Sequence, residues 1–223
     1  MGPLRMSVEV DHVIVAAVDI DEAAHSLYDE HGLASVAGGH HAGHGTANRI
    51  VPLGPNYIEI MGIVDEDEAA ASPLGRWLRS QTAAGDRLAG LCLRTSDVSL
   101  IAQRLKSQVA EMSRLRPDGV ELRWRLTAVQ EALDEPPLPF FITWDIPAAE
   151  FPGRAKAEHE VDPVGITRVE IGVDEARLHS WVGAVLPELR ASAGEPRIHR
   201  VVIETTSGKL VLRSPASRGE GGI

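Results

Sequence analysis

The sequence predicts an α+β fold of tandem βαβββ modules followed by a third, partial βαββ module. Three observations predict it. A β-rich run that leads into an aspartate and opens a helix occurs three times, at Asp19, Asp97 and Asp174, with near-equal spacing, and such self-similarity marks a duplicated supersecondary unit. The helices that follow carry apolar residues at helical spacing, whereas the segments after them are short and β-rich. Those segments are separated by Gly, Pro, Asn and Asp turns of hairpin type.

The first module spans residues 7–64. Residues 8–18 are dense in Val and Ile and predict a strand. Asp19 with Glu22 three residues later forms a capping box. Ile20, Ala23, Ala24, Leu27 and Tyr28 line one helix face, and Gly32 stops the helix. Residues 38–45 form a Gly/His loop, and strands follow at 49–53 and 56–63 around Gly54-Pro55-Asn56. Residues 65–87 are a helical linker with Leu74, Trp77 and Leu78 on one face; the acidic run Asp65 to Glu68 before it reads as a solvated approach.

The second module spans residues 88–147. Its strand 90–95 leads through Ser96-Asp97 into a helix bearing Leu100, Ile101, Leu105 and Val109. Strands 111–116 and 121–128 flank Pro117-Asp118-Gly119, a strong hairpin turn, and strand 140–144 follows the proline-rich Pro136 to Pro139. The third, partial module spans 160–213: strand 166–173, a helix bearing Leu178, Trp181, Val182, Val185 and Leu186, then strands 198–205 and 209–213. Residues 214–223 read as a flexible tail.

Composition narrows function. The net charge of −10 opposes binding to a nucleic-acid backbone. No apolar run reaches the roughly 18–20 residues of a membrane span, and the first residues lack a secretory core. The lone cysteine, Cys92, forbids an intrachain disulfide or a Cys-based zinc site and suits a cytoplasmic protein; it reads as a buried strand residue. No Ser-His-Asp motif, Walker loop or dinucleotide fingerprint occurs.

Several runs resemble the glyoxalase-like domain family of the vicinal oxygen chelate superfamily, which also holds glyoxalase I, extradiol dioxygenases and bleomycin-resistance proteins. They are Asp11-His12-Val13, the stretch from Gly38-Gly39-His40-His41 to Thr46-Ala47-Asn48-Arg49, and Tyr57-Ile58-Glu59-Ile60. Residues 117–124 and 138–144 extend the likeness. The resemblance implies that paired modules curl into a cupped mixed sheet around a small-molecule ligand, with metal ligands drawn from the first and fourth strands of each module.

Carried over, the resemblance makes His12 and Glu59 the metal ligands or the catalytic residues. Imidazole and carboxylate suit Zn, Mn, Ni or Fe. Strand alternation sets His12 on the opposite face from Asp11 and Val13. The second module breaks the pattern, with Gly90 in the position of His12 and no good donor in 140–144, which leaves the loop histidines His40, His41 and His44 as sources of a third or fourth ligand. His41, in the family's Gly-Gly-x-His pattern, together with Thr46 and Asn48, is expected at the substrate. So are Phe141 and Trp144, from a cluster of scarce aromatics that either walls a ligand or fills the core. Arg114, Arg116, Arg123 and Arg125 stand at alternate positions: they clamp an anion if they face the cup, and are a solvated face if Trp124 does.

Two functions follow. One is a lyase- or isomerase-type enzyme acting on an oxygenated small molecule, with Glu59 as general base or a divalent metal as Lewis acid. Dioxygenase chemistry is disfavoured, because the two-His-one-carboxylate set is not evident. The other is a non-catalytic protein that binds or sequesters a small molecule. A homodimer is compatible with either, since superfamily modules often pair across subunits; the third module could instead cover an exposed sheet edge.

Overall fold

A computed structural model of the chain describes residues 7–116 and 118–214; Pro117 of the predicted hairpin turn and residues 215–223 of the predicted tail lie outside the described residues. The first module runs β1 (Val8–Ala16), α1 (Ile20–His31), β2 (Val36–His41), β3 (Thr46–Pro52) and β4 (Tyr57–Ile63). The linker is a pair of helices, α2 (Glu66–Ala71) and α3 (Pro73–Thr82). The second module runs β5 (Arg87–Thr95), α4 (Val98–Leu105), β6 (Val109–Leu115), β7 (Glu121–Thr127), α5 (Val129–Asp134) and β8 (Phe140–Trp144). The third segment runs β9 (Pro163–Gly172), α6 (Glu175–Val182), β10 (Leu189–Ser192), β11 (Ile198–Thr205) and β12 (Gly208–Arg213).

The repeated aspartates are helix N-caps. Asp19 accepts the N–H groups of Asp21 and Glu22 at 2.9 and 3.0 Å. Asp97 accepts that of Ser99 at 2.9 Å, and Asp174 that of Arg177 at 2.8 Å. Each takes up donors that a first helical turn leaves free, a contribution of about 1 kcal/mol per cap.

The first two modules share one sheet of strand order β2-β3-β4-β1-β5-β8-β7-β6. Within each, the first and fourth strands are parallel neighbours, and β1 and β5 join the modules antiparallel. The sheet curls until its edges meet: an added Cβ on Gly39 of β2 would lie 2.8 Å from Arg114 Cδ of β6. The edges therefore cover each other, and the third segment lies elsewhere, as a second sheet of order β10-β9-β11-β12. Val13, Val15, Ile58 and Leu93 on the convex face share one hydrophobic core with Val169, Ile171, Val201 and Ile203 of that second sheet. The concave face is left for a cavity.

The structure departs from the sequence reading where short segments rely on neighbours. Residues 38–41 lie in strand β2, not in a loop; their Gly/His composition has little β-propensity, and pairing with β3 holds them extended. Val109 opens β6 because α4 ends at Lys106, whose φ is 58°. α6 ends at Gly183, with φ 71°, so Val185 is 80% exposed rather than on the helix face. The chain then forms β10, parallel to β9. The third segment thus has one more strand than the sequence reading allows, and its pairing order differs from that of the other modules.

The acidic run is also more than solvated charge. Asp65 caps α2 through the Glu68 N–H at 2.9 Å, and the Glu68 carboxylate accepts the N–H groups of Gly43 and Gly45, both at 2.8 Å. It ties the loop before β3 to the linker helices. Among the described residues no helix is long and apolar enough to cross a membrane.

Candidate functional site

The concave face encloses a cavity of roughly 300 Å³, mostly apolar, with one polar end. β1 brings His12 to that end by means of an irregularity. Val8 and Val10 pack in the core, as do Val13 and Val15, so the inward parity changes between them. The register with β5 slips between Val10 and His12, which leaves Asp11 as the extra residue. Bulges re-aim side chains in this way. The expected separation of Asp11 from His12 across the sheet is therefore corrected: Asp11 Oδ1 is 2.7 Å from His12 Nδ1. Asp11, fully buried, also accepts the Trp144 Nε1–H at 3.0 Å and an Arg94 N–H at 3.2 Å.

His12 Nε2 is 3.3 Å from Glu59 Oε2, and both residues line the cavity. The imidazole stacks on Tyr57 at 4.6 Å and meets the edge of Phe140 at 5.8 Å. Burial drives the Tyr57 pKa well above its usual value, so the phenol stays neutral beside these carboxylates. Glu59 Oε1 accepts a hydrogen bond from the Asn48 amide. Asn48 is oriented in turn by the Gly39 N–H, 2.9 Å from its Oδ1. Gly38 is the bulged residue of β2, and a Cβ there would fall 2.0 Å from Asn48 Oδ1. Gly38 and Gly39 thus make room for Asn48 and Arg114 side by side.

His41 lines the cavity with Nε2 3.8 Å from Glu59 Oε1, while Nδ1 contacts the Thr46 hydroxyl at 2.9 Å. Burial lowers the His41 pKa; Glu59 opposes this and Arg114 adds to it. Thr46, expected at the substrate, is corrected: it is 1% exposed, does not line the cavity, and acts on His41. His40 is exposed on β2. His44 Nδ1 and Trp77 Nε1, two nitrogens of cavity-lining residues, are buried without a hydrogen-bond partner among the described residues.

The second module supplies an apolar wall: the aromatic Phe140 and Trp144 with Ile142 of β8, and Trp124 of β7. Phe141, placed at the substrate by the sequence reading, is corrected. It points to the other side of β8, is fully buried, and belongs to the convex core. Strand alternation sends its neighbours inward and Phe141 outward. The Trp144 indole N–H is committed to Asp11, so its ring is what it offers a ligand.

The arginines divide by register. Met112 pairs with Trp124, so even-numbered residues of both β6 and β7 face the cavity. Arg123 and Arg125 therefore face out and pair with Glu121 and Asp145. Arg116 pairs with Asp118 and Glu150. Arg114 alone of the four lines the cavity. Its one side-chain hydrogen bond among the described residues is Nη1 to Asn48 Oδ1, at 3.4 Å. Burial pulls its pKa down, against Glu59 and Tyr57, yet a guanidinium keeps its charge.

A divalent metal can be tested against these donors. Asp11, His12 and Cys92 bring one ligand atom each within 4.8 Å. The set does not fit: burial drives the Cys92 pKa well up, which keeps the thiol protonated, and the Asp11 carboxylate already holds three donors. His12 and Glu59 stand at a separation that adjacent ligands could have. Opposite them, however, the second module presents Gly90, Phe140 and Ile142, none with a ligand atom in its side chain. The Arg114 guanidinium further occupies the region with positive charge. His41 Nε2, 3.8 Å from Glu59 Oε1, is a further candidate on the first module's side, but His12, Glu59 and His41 do not form a compact ligand cluster among the described residues, and the second module adds no donor opposite them.

Comparison with known proteins places this geometry. The model of the glyoxalase-like domain family matches residues 10–186. The crystal structure of a hypothetical protein from Staphylococcus aureus aligns with a TM-score of 0.62 and 16% identity, covering 94% of this chain and 87% of that one. Methylmalonyl-CoA epimerase from Mycobacterium tuberculosis aligns with a TM-score of 0.43 and 21% identity, over 61% of this chain and 86% of that one. A hypothetical protein from Bacillus halodurans C-125 aligns with a TM-score of 0.43 and 13% identity, over 62% of this chain and 94% of that one. No curated protein matches the chain.

Proposed function

The chain belongs to the glyoxalase-like domain family, and from that premise we propose that its cup moves a proton on a small oxygenated molecule, as a metal-independent lyase or isomerase. The observation that carries this reading is the 3.3 Å approach of His12 Nε2 to Glu59 Oε2 on the cavity wall, with Asp11 behind the imidazole. Asp11 accepts the Nδ1–H and so sets the tautomer. Two lone pairs do not face each other at that distance in a buried site, so a proton lies between Nε2 and Oε2.

With that proton on His12, the imidazolium sits between Asp11 and Glu59, and Glu59 is a carboxylate at the cavity. Asn48 holds its other oxygen. Glu59 then takes a proton from carbon next to a carbonyl and returns it at another position or face. The apolar lining excludes water and binds the body of the molecule.

The test is exchange of carbon-bound hydrogen in heavy water across a panel of small carbonyl compounds, followed by NMR. Wild type is expected to catalyse exchange for some members, and Glu59→Gln to lose roughly 10²–10⁴-fold. An unchanged rate in Glu59→Gln removes this role. The aromatic second half of the cup favours one alternative, a binding or sequestering protein. Ligand retained through purification without exchange on any compound would select that alternative.

A further inference from the structure

We propose that Arg114 holds the oxyanion that forms on the ligand, and that the ligand is an uncharged carbonyl compound with an apolar body and an acidic C–H beside the carbonyl. The proposal rests on the proton-transfer reading of Glu59 and deepens it by naming a substrate class.

Four observations lead there. Arg114 lines the cavity and forms no ion pair among the described residues, although a guanidinium carries five donors. Gly38 and Gly39 clear the space that it and Asn48 fill: a Cβ on Gly39 would also lie 3.0 Å from Arg114 Nη1. Asn48 links the two charges, accepting from Arg114 and donating to Glu59. Opposite His12 and Glu59 the second module presents Gly90, Phe140 and Ile142, none with a side-chain ligand atom with which a divalent metal could do the same work.

Charge bookkeeping selects the ligand class. As Glu59 takes the proton, the C–H bond breaks, its electron pair forms the C=C bond, and the carbonyl π pair moves onto oxygen. Glu59 becomes neutral and the ligand becomes an enolate. One negative charge has moved within reach of a fixed positive one, and the total is unchanged. A ligand that arrived as a carboxylate would instead add its charge beside Glu59. Preorganised donors act best on charge that develops during the reaction.

An aryl 1,3-diketone such as benzoylacetone tests this, because its enolate absorbs at longer wavelength than its neutral forms. Wild type is expected to bind it and to show the enolate band at least one pH unit below the free compound's transition. Arg114→Met should lose the band and bind at least 10-fold more weakly, and Arg114→Lys should keep part of both, which separates charge from folding. Glu59→Gln should keep the band, since the neighbouring negative charge is gone. A band that persists in Arg114→Met, one that vanishes in Glu59→Gln, or a neutral spectrum in wild type would overturn the proposal. Heavy-water exchange unaffected by Glu59→Gln would overturn the proton-transfer reading alone.

Discussion

Asp11 and His12, adjacent in the chain, hydrogen-bond through their side chains at 2.7 Å, a contact that a regular strand would forbid. The slipped register between Val10 and His12 makes it possible. The carboxylate then gathers His12, Trp144 and Arg94, and so ties the first strand of one module to the last strand of the other.

Replacing Asp11 with Asn removes the negative charge and turns one of its two acceptor oxygens into a donor while keeping the volume, so His12, Arg94 and Trp144 can no longer all be satisfied. Proton exchange should fall on the order of 100-fold, the scale of a small misplacement of a reacting group. Nitrogen NMR of His12 should show its Nδ1 proton no longer held in a strong hydrogen bond. Intact activity with an unchanged Nδ1–H signal would mean that Asp11 serves only Arg94 and Trp144.

Phe140 and Phe141 should behave as opposites. Phe141→Ala empties a fully buried site and should cost about 3–5 kcal/mol in urea unfolding, with ligand affinity kept in the folded fraction. Phe140→Ala should weaken ligand binding at smaller cost to stability. Equal effects on affinity would contradict the alternation of β8.

Gly38→Ala places a methyl group 2.0 Å from Asn48 Oδ1 and 2.7 Å from its backbone oxygen. β2 must shift, and a loss of about 1–3 kcal/mol is expected from overpacking. Ligand binding should fall with it, because Asn48 orients Glu59. Gly43→Ala is the control for chain position: its Cβ meets nothing within 4 Å, although its φ of 77° adds backbone strain.

Stability should fall in mild acid through His159. Its Nε2–H donates to the Pro52 carbonyl at 2.9 Å and its Nδ1 accepts the Ala34 N–H at 3.0 Å, so the folded state holds the neutral ring. Burial lowers its pKa below the ordinary 6.5, with the Pro52 contact opposing. Below that value the unfolded chain binds a proton that the folded chain resists, so stability drops as pH falls from 6.5 toward the folded-state value. Urea midpoints at about pH 7.5 and pH 5.5 should differ less in His159→Gln than in wild type. An unchanged difference would place the acid sensitivity elsewhere.

Much of the fold was legible because its signals are local. Asp19, Asp97 and Asp174 announce three helices, since a cap is a contact within three residues. β2, β10 and α5 were not legible: they are short and weak in propensity, and β2 and β10 are held extended by pairing with β3 and β9. At the site, His12, Glu59, His41 and Asn48 were picked out from the family resemblance, and they do meet around one cavity. Asp11 and Arg114 were harder to find. Asp11 needs a bulge that no residue type signals, and Arg114 needs the register between β6 and β7.

By itself the sequence determined the α+β class, the duplication of the first two modules, the starts of the three Asp-capped helices and the side chains available for chemistry. Those follow from backbone propensity, capping and periodicity, which act over a few residues. The tertiary structure alone decided which face each side chain takes. One extra residue at Asp11 or Gly38 reverses strand parity, and long-range pairing decides where that residue goes. It also decided that Phe141 fills the core, that Arg114 enters the cup, and that the third segment backs the sheet rather than its edge, because those outcomes depend on contacts between residues far apart in the chain.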